Sequence, residues 1–134
     1  DSVVEHDMDT SPIGDPVGLI SGTNLVNIPC DKKLADLMEQ AVSKVGTITS
    51  KRGVIASGDQ FISKQEQRDK IKDNFGAIAA EMEGASIGHV CYMNVCLSVY
   101  CVQCRTAQTT IHIWIIPNLQ KWRRQIQSRL YLNF

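Results

Sequence analysis

The sequence predicts an α/β fold with parallel neighbouring strands, and three observations carry that expectation. Extended and helical patterns alternate from Gly53 to Tyr92 in the order strand, helix, strand, helix. Each strand is a short apolar run followed by polar turn residues. Gly53-Val54-Ile55-Ala56 precedes Ser57-Gly58-Asp59, and Ala77-Ile78-Ala79-Ala80 precedes Glu81-Met82-Glu83. The third observation is chemical. Two carboxylates and a thioether, Glu81, Met82 and Glu83, stand where a strand hands over to a helix. Open α/β sheets bind ligands at that edge. Acids also favour a helix N-terminus on electrostatic grounds alone, so a purely structural reading stands beside the functional one.

Asp1 to Gly22 is acidic and turn-rich, with Ser11-Pro12, Gly14-Asp15-Pro16 and Ser21-Gly22, and reads as a surface loop. Its His6-Asp7-Met8-Asp9 offers one imidazole and two carboxylates, too thin a ligand set to predict a metal. Leu25 to Cys30 is a short extended run. Asp31 then caps a helix whose apolar Leu34, Leu37, Met38, Ala41, Val42 and Val45 belong to the core, and Gly46 stops it. Thr47 to Ser57 is β-rich. Ser63 caps the next helix, Lys64 to Phe75, with Glu66 completing a capping box. That helix is mostly charged and solvated, and Asn74-Phe75-Gly76 ends it. The last helix of the series runs from about Met82 to Tyr92.

At 134 residues the chain holds one domain at most. Its 14 basic and 14 acidic residues cancel, so no nucleic-acid footprint is expected. No apolar run reaches membrane-spanning length and no signal peptide is visible, which points to a cytoplasmic protein. The first residue is Asp1 rather than Met, so further residues are expected upstream. The charges are unevenly placed. All 14 acids lie between Asp1 and Glu83, and only Arg105, Lys121, Arg123, Arg124 and Arg129 are charged after it. Such a shift marks a boundary. Read at face value, the tail gives strands over Val95 to Cys101 and Thr110 to Ile116, then a basic helix over Leu119 to Leu130. Cys101-Val102-Gln103-Cys104, with Cys91, Cys96 and His112 nearby, lacks a second CxxC pair and fits no standard finger spacing. No zinc or redox site is expected there.

Two stretches together resemble the bacterial methylthioadenosine/adenosylhomocysteine nucleosidases. They are Ser57-Gly58-Asp59-Gln60-Phe61-Ile62 and Ala80-Glu81-Met82-Glu83-Gly84-Ala85, the latter followed by Gly88-His89-Val90-Cys91. His6-Asp7-Met8-Asp9 and Lys51-Arg52-Gly53 also suit that family, and the likeness covers Asp1 to Asn94. The resemblance implies the three-layer αβα fold of the purine nucleoside phosphorylase-like superfamily, here without its N-terminal strands. It implies hydrolysis of the N-glycosidic bond of methylthioadenosine and adenosylhomocysteine, giving adenine and a thioribose. It implies a homodimer, a small nucleoside substrate, and no cofactor, metal, nucleic-acid or membrane partner. By the same resemblance Phe61 stacks on adenine, the Ile62 backbone hydrogen-bonds its edge, and Met82 packs against the ribose. Glu83 accepts from the ribose hydroxyls and Glu81 supports it. The chemistry is consistent, because a carboxylate accepts strongly from a vicinal diol and favours the positive charge of a departing ribosyl group. The family pocket for the ribose substituent takes residues from a neighbouring subunit. Ile13 and Asp15 stand where better-known members carry aromatics, which leaves selectivity open.

Two catalytic groups of the family have no counterpart. The water-activating glutamate belongs before Asp1. The aspartic acid that protonates adenine N7 ends an Arg-Ala-(Ile or Met)-Ser-Asp run, which falls on Cys101 to Arg105 and matches none of it, so Arg105 holds the acid's place. No catalytic residue is therefore retained, and the chain as written is expected to be inactive. A shifted reading frame explains the mismatch. Taking the third base of each codon with the first two of the next, Val95 to Thr110 can encode Val-Pro-Phe-Cys-Val-Leu-Arg-Ala-Met-Ser-Asp-Ser-Ala-Asp-Asn-Asn, the family's own continuation. One base lost from a Gly codon after Asn94 would produce it. The expected division is thus a nucleosidase-like segment over 1–94 and a frameshifted tail over 95–134. Two alternatives stay open: a nucleoside phosphorylase of the same superfamily, and a non-catalytic protein whose basic tail, Lys121 to Arg129, binds a partner.

Overall fold

The computed structural model describes residues 1–47, 49–105 and 108–112. A four-stranded sheet of order β2-β1-β3-β4 is its centre. The strands are β1 (Ser2–Glu5), β2 (Ile28–Pro29), β3 (Val54–Ser57) and β4 (Ala77–Glu81). β1, β3 and β4 run parallel, and β2 pairs antiparallel with β1. Among the described residues three α-helices accompany them: α1 (Lys32–Val45), α2 (Gln65–Phe75) and α3 (Gly84–Met93). The expected α/β alternation is therefore present.

Side-chain alternation along β1 divides the core in two. Val3 joins Ile20, Ile28, Ala85 of α3 and Tyr100 on one face. Val4 joins Ala56 and Ile71 of α2 on the other, with Ile62 and Phe75 packed alongside. Successive strand residues point to opposite faces, so one Val-Val pair anchors helical layers on both sides. The close seat of α3 depends on Gly88, where a Cβ would lie 2.8 Å from Val3 Cγ2. This strand corrects the surface loop expected over Asp1 to Gly22. Ser2–Glu5 lies between two strands, and Val3 and Val4 are fully buried. Four strand residues followed by a long Pro/Gly-rich stretch carry too little periodicity to stand out.

The helix ends follow their local chemistry. The Asp31 carboxylate accepts from the Leu34 amide at 2.8 Å, and Gly46 closes α1 in the left-handed region. The apolar face expected of α1 is only partly covered. Of its apolar residues, Leu34, Met38 and Val42, an i, i+4 row, are half-buried, while Leu37, Ala41 and Val45 are exposed. For α2 the cap lies one residue beyond the expected Ser63. Lys64 is the N-cap, and Gln67, not Glu66, receives the Ser63 and Lys64 amides at 3.3 and 3.1 Å. At the other end of α3, the Cys96 amide donates to Cys91 O at 2.8 Å and the Val95 amide to Tyr92 O at 3.1 Å. That is the paired hydrogen bonding of a Schellman turn. Its left-handed position is filled by Val95, at φ 54°, where glycine is the usual residue.

The turn and the segment after it displace the strand expected over Val95 to Cys101. Extended pairing begins only at Cys101, in a separate hairpin of β5 (Cys101–Arg105) and β6 (Gln108–His112). β6 overlaps the start of the strand expected over Thr110 to Ile116; the rest of that strand and the helix expected over Leu119 to Leu130 lie outside the described residues. Between turn and hairpin, Ser98, Val99 and Tyr100 are buried, and the Asp31 amide donates to Ser98 O at 2.7 Å. Burial pushes the Tyr100 phenol up to about 12.

Candidate functional site

Parallel pairing puts Glu5, Ser57 and Glu81 in one register across the carboxyl edge of β1, β3 and β4. Each strand then releases one of the segments singled out from the sequence: His6-Asp7, Gly58 to Ile62, and Met82-Glu83. The arrangement brings both nucleosidase-like motifs to one edge of one sheet.

The two carboxylates of the Glu81-Met82-Glu83 run have different surroundings. Glu81 is 6 % exposed. Its Oε2 accepts the Glu83 amide at 2.9 Å and the Gly84 amide at 2.7 Å. The Ser57 hydroxyl donates to Oε1 and in turn accepts the Ala85 amide at 2.7 Å. Glu81 and Ser57 together satisfy three amides at the start of α3, donors that a helix N-terminus otherwise leaves unpaired. The Glu83 side chain is exposed, and none of the described residues pairs with its carboxylate. The structural and the functional readings of the acid pair thus apply to different members. Glu81 builds the helix start, and Glu83 is presented to the outside.

On the neighbouring strand exit, Ile62 packs its side chain against the α2-side core. Phe61 next to it is 81 % exposed, and Met82 is 42 % exposed. The structure places Met82 and Glu83 beside Glu81. It places Phe61 and Ile62 on the adjacent exit, with no hydrogen bond or ion pair among the described residues joining the two pairs. An aromatic face suits a flat heterocycle and a carboxylate suits a diol. Glu5 was not legible as a site residue. It ends β1 with its Oε1 3.7 Å from His89 Nδ1 of α3, a pair no linear motif announces. Ser57 was equally silent as a partner for Glu81, because their contact spans two strands.

Parallel strands flanked by helices, with polar groups and an exposed aromatic at the carboxyl edge, define an open α/β protein, a class whose ligands bind at that edge. The phosphorylase superfamily pattern matches residues 1–112, and the chain belongs to that superfamily. It is 39% identical over 89 residues to the aminodeoxyfutalosine nucleosidase of Campylobacter jejuni, covering 66% of this chain and 38% of that protein. It is 36% identical over 93 residues to the 5'-methylthioadenosine/S-adenosylhomocysteine nucleosidase of Oceanobacillus iheyensis, covering 69% of this chain and 40% of that protein. Among solved structures, the futalosine hydrolase of Helicobacter pylori superposes with a TM-score of 0.64 at 36% identity, over 70% of this chain and 40% of that one. The chain thus spans about two fifths of the length of these relatives. Among the described residues, no helix is long and apolar enough to cross a membrane.

Proposed function

We propose that this chain carries the nucleoside-binding edge of an N-ribosyl hydrolase acting on methylthioadenosine and adenosylhomocysteine. Phe61 and the Ile62 backbone take the adenine, Met82 and Glu83 take the ribose, and Glu81 positions Glu83 by capping α3. The homodimer implied by the family resemblance and the cytoplasmic setting expected from the sequence belong to the same reading. The observation that carries it is the division of labour between the two acids. The Glu81 carboxylate is occupied by amides of α3 and by Ser57, while the Glu83 carboxylate stays exposed at the strand edge.

The 134-residue chain itself binds without cleaving. Adenine leaves readily only once N7 is protonated, and the family's acid position holds Arg105, whose guanidinium keeps its proton and its positive charge. The frame change after Asn94 accounts for that replacement. The left-handed Val95 supports it, since the lost base is inferred to come from a Gly codon at that place. The test is calorimetric titration of the chain with 5'-methylthioadenosine, beside Glu83→Gln and Phe61→Ala. Losing a charge-assisted acceptor weakens binding by roughly tenfold, about 1.5 kcal/mol. Equal affinity in all three proteins would contradict the assignment.

A further inference from the structure

The loop that presents Phe61 is held from two sides. The Gly58 amide donates to Glu81 O at 3.3 Å, which ties the loop to β4. On the other side stands the His6-Asp7 turn at the end of β1. The His6 amide donates to Ser57 O at 2.8 Å, continuing the β1–β3 ladder by one residue. The Asp59 amide donates to Asp7 Oδ2 at 2.6 Å. This bond joins positions 52 residues apart, is short, and is charge-assisted. Contact between turn and loop is so close that a Cβ at Gly58 would lie 2.6 Å from His6 Nε2 and 2.7 Å from Asp7 Cγ.

We infer that Asp7 is a positioning residue for the Phe61 loop, fixing the Asp59 amide while Gly58 supplies the room for the brace. Phe61 is too exposed to be fixed by packing, so backbone anchoring upstream decides where its ring is presented. Ile62, half-buried against the α2-side core, is the second anchor, and Phe61 is suspended between them. The brace rests on the geometry above; its bearing on nucleobase recognition rests on the proposed function.

The test uses the 134-residue chain with Asp7→Ala and Asp7→Asn, followed by backbone NMR. In Asp7→Ala the Asp59 amide exchanges at least about tenfold faster while the Ala56 amide inside β3 keeps its protection. The Phe61 amide order parameter falls toward about 0.6, the range of flexible backbone. Asp7→Asn keeps an acceptor oxygen and recovers most of the Phe61 order. A general structural role would loosen β1 and β3 alike and leave no selective change at Phe61. That result, or an unchanged Phe61 order parameter in Asp7→Ala, overturns the inference. If Asp7→Ala does not fold, Asp7→Asn decides: a neutral acceptor weakens the bond, so the Asp59 amide proton moves upfield, and an unmoved resonance overturns it. Failure of the wild-type chain to bind 5'-methylthioadenosine would refute the proposed function and leave these resonances to judge the brace.

Discussion

Replacing Val95 with glycine should make the chain more stable, against the usual direction of a core-adjacent truncation. Val95 occupies the left-handed position of the turn that ends α3, at φ 54°. An L-residue there is disfavoured by roughly 1–2 kcal/mol, and β-branching adds crowding. Glycine relieves this, but it also frees the unfolded chain, which offsets about 0.4–1 kcal/mol. The lost side chain matters little, because Val95 is 73 % exposed. The remainder is about 0.5–1 kcal/mol of stabilisation, or a rise of about 2–5 °C in Tm for a domain of this size. The assay is thermal unfolding followed by circular dichroism for wild type, Val95→Gly and Val95→Ala. Alanine removes the branching but keeps the steric conflict at Cβ, so it should recover less than glycine. A Val95→Gly protein that melts at or below wild type would refute the reasoning, because the strain relieved would then not exceed the freedom glycine gives the unfolded chain.

Two further predictions concern the edge and the core. Ser57→Ala removes the donor to buried Glu81 and the acceptor of the Ala85 amide, and should destabilise the chain by about 1–3 kcal/mol in urea unfolding, with an unchanged m-value. Tyr100 is buried as a neutral phenol, with its pKa raised from 10.0 to about 12. The unfolded chain therefore loses that proton first, so the stability this residue contributes is complete below pH 10 and declines as pH rises from 10 to about 12. Tyr100→Phe should show a shallower decline over that window.

The elements with internal punctuation were legible in the sequence. Asp31 and Gly46 bracket α1, Gly76 ends α2, and Ala77 to Glu81 was delimited as a strand by the helix signals on both sides. What escaped was decided by partners distant in sequence. β1 is a strand because Val3 and Val4 meet α3 and α2 residues more than 60 positions away, whereas its local surroundings are those of a loop. The edge itself was visible as two motifs. Which acid would be buried was not, although Glu81 stands three residues before Gly84, the spacing of a cap. The tail resisted for a different reason. Val95 carries strand propensity into a position whose backbone is left-handed, so the pattern points one way and the turn the other.

The most direct test of the account is adenine release from 5'-methylthioadenosine. The 134-residue chain is measured beside a chain with one base restored after codon 94 and the family's preceding segment added. Loss of a positioned acid alone lowers the rate by roughly 10²–10⁴-fold. The account predicts adenine release from the 134-residue chain at least about 10²-fold slower than from the restored one, which turns over measurably. Comparable turnover from both would contradict it, since the tail would then supply the acid that Arg105 cannot.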